Sequence, residues 1–203
     1  MGLIFKEEGH IYESIDDEAI DWTSVTSFIG MFKPKFDPKA QAVKSSKNKR
    51  SKWYGMTPKE ILAAWDGESQ RAITLGNFYH NQRESDMLNF ATIEREGVEV
   101  PIIKPLFDED TGVKIAPIQK ISNGVYPEHF VYLKSAALCG QADLVEVING
   151  YVNITDYKTN KEIKKEGFTN WEGITSKMFK PVNHLDDCNF NHYSLQMLSL
   201  IHI

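Results

Sequence analysis

In Gly140-Gln141-Ala142-Asp143-Leu144-Val145, followed after a polar break by Val152-Asn153-Ile154-Thr155-Asp156-Tyr157-Lys158, two β-like runs each carry one Asp. Side chains alternate along an extended strand, so Asp156 and Lys158 share a face and Tyr157 takes the other. Asn149-Gly150, the dipeptide favoured in a tight hairpin turn, lies between the runs. Pairing across that turn brings Asp143 and Asp156 towards one end of the hairpin. Converging carboxylates repel unless a cation sits between them, and open oxygen sites suit Mg²⁺ or Mn²⁺. A lysine beside such an ion can orient a water and offset developing negative charge. The pattern predicts hydrolytic metal chemistry, with a phosphodiester as the expected substrate.

The rest of the chain bounds this reading. Its 203 residues suffice for one sizeable core. A composition 41% hydrophobic and 25% charged is that of an ordinary globular protein. No apolar run is long enough to span a membrane, and the first ten residues lack a secretory core, so no membrane partner is expected. Cys139 and Cys188 are too few for a disulfide framework or a four-cysteine metal site, which favours a reducing, cytoplasmic setting. The net charge of −5 hides an uneven distribution. Residues 33–52 hold eight basic side chains, among them Lys44, Lys47, Lys49, Arg50 and Lys52, against the single acid Asp37. Such a segment reads either as a polyanion-binding arm or as a solvated loop. Trp53 and Tyr54 directly after it can stack on unpaired bases or anchor the next helix.

Along the chain, residues 3–12 read as a short strand and turn. Ser24 or Thr23 is an N-cap for a helix with Val25, Phe28, Ile29 and Phe32 at helical spacing, ended by Pro34 and Pro38. Thr57-Pro58-Lys59-Glu60 starts another helix, with Ile61, Leu62 and Trp65 as its buried stripe. A separate helix is expected over 69–90, with Ala72, Leu75, Tyr79, Met87 and Phe90 in its core. Gly76, His80 and Glu84 share one of its faces, either as a surface His–Glu pair or turned to a ligand. Residues 99–118, interrupted by prolines, predict edge strands or a meander. A strand over 126–133 has Glu128 near its start. A late helix begins near Asn189 or Asn191 and carries Gln196, with Asp186 or Asp187 in the preceding loop and cap. The final six residues, Leu198-Ser199-Leu200-Ile201-His202-Ile203, match the translation of a transposon-end adapter used in sequencing libraries. The natural sequence is therefore expected to end at Met197, with its true C-terminus missing.

Taken together, Gly76-x3-His80-x3-Glu84, Glu128, Gly140-x2-Asp143, Asp156-Tyr157-Lys158 and Gln196 form an ordered set. In that order the chain resembles the PD-(D/E)XK nuclease superfamily, specifically its RecB-like exonuclease branch. Ser24-Val25-Thr26 after a His-x-Tyr strand is similar to phage recombination exonucleases and to the mitochondrial genome maintenance exonuclease. The resemblance runs from about His10 to Gln196. It implies an α/β, restriction-endonuclease-like core, a mixed central sheet flanked by helices, in one domain over 1–197. An N-terminal helical part (about 1–95) would precede the catalytic sheet core (about 96–197).

The resemblance also implies roles. Asp143 and Asp156 would bind Mg²⁺ or Mn²⁺ with the backbone carbonyl of Tyr157, and His80 would add a ligand. Lys158 would position the attacking water and stabilise the transition state. Glu128 would contact the metal or its water, and Gln196 would hold the site and the DNA end. The activity implied is exonucleolytic hydrolysis of DNA that has a free end, in phage-type recombination, replication or repair, with a recombination or replication protein as partner. A structure-selective endonuclease on the same fold and a non-catalytic DNA-binding accessory protein are the alternatives. One departure stands out: the Tyr expected four residues after Gln196 is Leu200 here. The two cysteines also fall short of the four that would hold an iron–sulfur cluster.

Overall fold

In the computed structural model the described residues are 2–203 except 7, 8, 10, 16–18, 118–120 and 171, so His10 of the His-x-Tyr pattern lies outside them. The chain forms β1 (Gly2–Lys6), β2 (Ile11–Ser14), β3 (Thr23–Ser24), α1 (Val25–Gly30), α2 (Pro38–Lys47), α3 (Pro58–Leu88), β4 (Thr92–Arg95) and β5 (Val98–Pro101). It continues through β6 (Leu106–Phe107), β7 (Lys114–Pro117), β8 (Gly124–Leu133), β9 (Leu138–Ile148), β10 (Tyr151–Thr155) and α4 (Asn189–His202). The class is mixed α/β, with open sheets whose strands, among the described residues, pair antiparallel except for β3 with β9; an isolated parallel bridge also joins Ile102 and Val125.

Strand β9 is the centre. β8 pairs antiparallel along one edge, from Gly124↔Val147 to Leu133↔Leu138. Two strands share the other edge: β10 pairs antiparallel from Tyr151↔Ile148 to Thr155↔Leu144, and β3 pairs parallel at Leu138 and Cys139. Residues 140–143 of β9 fall between those two ladders. The β9–β10 turn is the expected one, since Asn149 and Gly150 both adopt positive φ (52° and 82°), as a two-residue hairpin loop of this kind requires. Glu128 falls mid-strand rather than near the start of β8, because pairing begins two residues earlier than expected, at Gly124.

A second sheet has the order β2-β1-β7-β6, so strands from both sides of position 95 share one sheet. Leu3, Phe5 and Ala116 from it pack with Phe130 and Cys139 of the central sheet. A larger cluster joins α1, α4 and the central sheet through Val25, Ile29, Val145, Val147 and Leu200. The β4–β5 hairpin and the end of α3 add a third cluster, in which Val100, Val125 and Leu144 pack with Met87 and Leu88. Cys139 and Cys188 are both buried and carry free thiols.

The helices start where their caps lie. Ser24 Oγ accepts the Ser27 amide at 3.1 Å to open α1. Thr57 and Glu60 form a reciprocal capping box at the head of α3. Four expectations change. The two helices expected over 58–90 are one continuous helix of 31 residues. An isolated Gly67 costs a helix only about 1 kcal/mol relative to Ala, too little to break one anchored at both ends. On α3, Ala72, Leu75 and Tyr79 are exposed rather than core, as is Phe90 just past its end. The basic segment is partly helical: Pro38, read as a terminator, is instead the first residue of α2, capped by Asp37, whose side chain accepts the Ala40 amide at 3.0 Å. At α4 the N-cap is Cys188 with no side-chain bond, so neither Asp186 nor Asp187 caps it. Asp186 instead accepts the Gly167 amide at 2.9 Å and pairs with Lys177, and Asp187 bonds His192 at 2.8 Å.

Candidate metal centre

The register of the central sheet sets three carboxylates in a row. Pro127↔Leu144 and His129↔Ala142 bracket a position at which Glu128 stands level with Asp143. On the other edge Thr155↔Leu144 is the last pair, so Asp156, one residue further, also comes level with Asp143. Directly opposed residues project to the same face of a sheet. Glu128 occupies the left-handed region (φ 50°), which removes it from the ladder opposite Asp143.

α3 adds the fourth group. His80 Nδ1 lies 3.3 Å from Asp143 Oδ1, and one ligand atom each from His80, Glu128 and Asp143 lie within 4.8 Å of one another. The helix comes close at Gly76, where an added Cβ would lie 3.7 Å from Thr159 Oγ1. Glu84 is close enough to act on the Glu128 carboxyl. The Gly76–His80–Glu84 face is therefore turned to the acidic row, not to solvent as a mere surface pair.

Asp156 is held separately. Its Oδ1 accepts Gln196 Nε2 from α4 at 3.2 Å, and its Oδ2 pairs with Lys158 Nζ at 2.5 Å. Lys158 and Asp156 thus meet through this ion pair, but β10 ends at Thr155, so both lie past the strand whose alternation was expected to place them. Lys158 also lies 5.1 Å from the centre of the Tyr193 ring, and Tyr193 Oη donates to Asn160 Oδ1 at 2.6 Å. The Tyr157 amide donates to Asp143 Oδ2, while its ring meets Tyr79 and His80 edge-on. Among the described residues the tight three-ligand group therefore contains Glu128, with Asp156 tied to Lys158 and Gln196 beside it.

The electrostatics follow from this crowding. Burial pushes the Glu128 carboxyl up to about 7; Lys114 opposes the shift, and Asp143 and Glu84 add to it. Asp143 is raised as well, first by burial and then by Asp156, against the Tyr157 amide, His80 and Lys158. Half-buried carboxylates that resist ionising together gain most from a cation placed between them. An imidazole nitrogen with carboxylate oxygens is a donor set that a Mg²⁺- or Mn²⁺-class ion accepts. These groups open on a cavity of about 240 Å³, which Lys158, Gln196 and Tyr12 also line. A larger cavity of about 650 Å³ lies against the outer sheet near Phe5 and Phe107, without any of these acids, so size alone does not mark the chemistry.

No protein-family model, curated protein or solved structure matches the chain. The chemistry of the site rests on its own geometry.

The basic segment stands apart from the site. Lys44, Lys47, Lys49, Arg50 and Lys52 are exposed, and none lines the 240 Å³ cavity. Trp53 is half-buried, its ring 6.2 Å from that of Trp65 and 4.3 Å from Lys52 Nζ, so it anchors the turn into α3. Gln141, absent from the sequence-derived set, donates to Glu128. Its signal was present, since a residue two before Asp143 on a strand shares its face. Ser24 and Thr26, noted above for a cap and a motif, also line the cavity. No helix among the described residues is long and apolar enough to cross a membrane.

Proposed function

We propose that this chain is a divalent-metal-dependent deoxyribonuclease of the PD-(D/E)XK type, with a restriction-endonuclease-like core, acting on DNA that has a free end. The observation that carries the reading is the level row Glu128–Asp143–Asp156 across three adjacent strands, with His80 over it and Lys158 beside it. In this reading His80, Glu128, Asp143 and Asp156 hold the ion, with the Tyr157 carbonyl as a further donor. A bound divalent ion supplies Lewis-acid polarisation of the phosphate and acidification of a water. The Lys158 ammonium orients the water and offsets negative charge as it builds on the phosphate oxygens. Gln196 steadies Asp156, and Gln141 steadies Glu128. The exposed lysines around α2 guide the strand electrostatically.

The test uses the purified chain with 5′- and 3′-labelled linear DNA in Mg²⁺, Mn²⁺ or chelator. Metal-dependent cleavage that falls about 10²- to 10³-fold in Lys158→Ala is the expected result. Cleavage from ends with a closed single-stranded circle left intact marks an exonuclease, and a cut circle marks an endonuclease. DNA binding that is unchanged by Asp156→Ala, without cleavage under any metal, would sink the enzymatic reading in favour of an accessory DNA-binding protein.

A further inference from the structure

A second cavity, of about 340 Å³, shares no lining residue with the acidic site but is lined by the chain neighbours of its residues, Tyr79, Leu144 and Tyr157, and nothing in the hydrolytic reading uses it. Its floor is apolar, formed by Met87, Ile93 and Leu144, which belong to or pack on the core beneath the β4–β5 hairpin. Its walls are aromatic. The rings of Tyr79 and Tyr157 meet at 87° with centroids 5.8 Å apart, making a right-angled corner, and Phe90, 58% exposed, stands at the rim. The Arg83 guanidinium lies 5.4 Å from the Tyr79 ring centre and pairs with Asp86 at 3.1 Å, so it is held in place at the edge of the corner.

Both tyrosines connect this corner to the acidic site. Tyr79 precedes His80 on α3. Tyr157 stands between Asp156 and Lys158, its amide bound to Asp143 and its ring 6.0 Å from that of His80. A flat group seated in the corner thus meets the Tyr157 ring, which on its other contact meets His80. The volume is at the small end of the roughly 300–1,000 Å³ of small-ligand pockets, too small for a helix or a strand of protein. A planar, partly polar ring matches an aromatic corner with a fixed guanidinium at its edge.

We infer that the Tyr79–Tyr157 corner is a nucleobase subsite, which takes the unpaired base of a nucleotide next to the scissile phosphodiester and so selects single-stranded or frayed DNA. The inference rests on the nuclease reading for the position of the phosphodiester, but binding in the corner does not need the metal. A base lies on one tyrosine ring and meets the edge of the other. A paired base inside a duplex does not reach the corner without leaving its stack.

The test uses single-stranded oligonucleotides carrying 2-aminopurine, or an abasic site, at successive positions, in chelator for binding and in Mn²⁺ for cleavage. Quenching of 2-aminopurine at one position is expected on binding. Stacking of one base is worth about 1–3 kcal/mol, or about 5- to 150-fold. Tyr79→Ala should therefore weaken binding and raise KM about tenfold, with Tyr79→Phe close to the parent. An abasic site at the quenched position should cost the same, and combining it with Tyr79→Ala should add little more. Tyr79→Phe controls for disturbance of His80, because it keeps the ring and removes only the hydroxyl. Quenching and the Tyr79→Ala loss without cleavage in any metal would leave the subsite standing and overturn the nuclease reading. Metal-dependent cleavage with no quenching at any position, or with Tyr79→Ala and abasic losses that simply add, would overturn the subsite and leave the nuclease reading intact.

Discussion

Glu128 carries an opposing pair of requirements. Burial favours its neutral acid, whereas gripping a cation needs the carboxylate. A carboxyl whose folded pKa is raised, here from 4.5 to about 7, contributes stability that is complete below the lower value and lost as pH rises through the higher. In chelator, Glu128→Gln should therefore melt higher than the parent near pH 8, by about 2 kcal/mol, with the advantage fading towards pH 4.5. Saturating Mn²⁺ should cancel or reverse the order, because the amide removes a charged ligand. Thermal melts at the two pH values, with and without ion, check both signs. Gln196 acts at one remove, through its bond to Asp156. Its change to Ala should lower metal affinity or cleavage about 10- to 100-fold, measured as the Mn²⁺ concentration dependence of the rate. The approach of Asp143 and Asp156 was legible because a hairpin turn and its register are local rules, whereas Lys158 lies past the end of β10 and is placed by its ion pair with Asp156. Gln141 was not singled out, because its importance comes from a left-handed Glu128 on another strand.

Among the elements, the junction of α1, β9 and α4 is tightest at Gly140, where an extra atom requires Leu200 to move. A Cβ there would lie 2.7 Å from Leu200 Cδ2 and 3.3 Å from Val25 Cγ2, all within the buried core. Gly140→Ala should cost about 1–3 kcal/mol in denaturant unfolding. If the clash with Leu200 is the cause, the double variant with Leu200→Ala should be scarcely less stable than Leu200→Ala alone. The elements signalled by local chemistry stood where expected: the hairpin at Asn149-Gly150, and the starts of α1 at Ser24 and of α3 at Thr57. Those that depended on competing signals did not. The two helices expected over 58–90 are the single α3, and Pro38 ends one helix pattern as readily as it begins another. The pairing of β1 with β7 joins segments far apart in the chain, and no local pattern announces it.

On the scale of the whole molecule, charge is divided between an acidic pocket and an exposed basic surface on and after α2. Replacing Lys47, Lys49 and Arg50 with Gln should weaken DNA binding and flatten its dependence on log salt by about 2–3 units, if each residue meets one phosphate. The cleavage rate at saturating DNA should stay near the parent value, which separates guidance of the strand from chemistry. Fluorescence titrations over a range of NaCl provide the slope. An unchanged slope would move the DNA path to another surface.

The acidic site is assembled from one helix, three strand regions and a second helix, which are far apart along the chain and are brought together by the fold. An ion held there binds the finished structure and not its precursors, so it adds to stability by mass action. Chelation should then lower the melting temperature even when no substrate is present. A nascent or partly unravelled chain has its carboxylates scattered and offers such an ion no shared grip until α4 has docked.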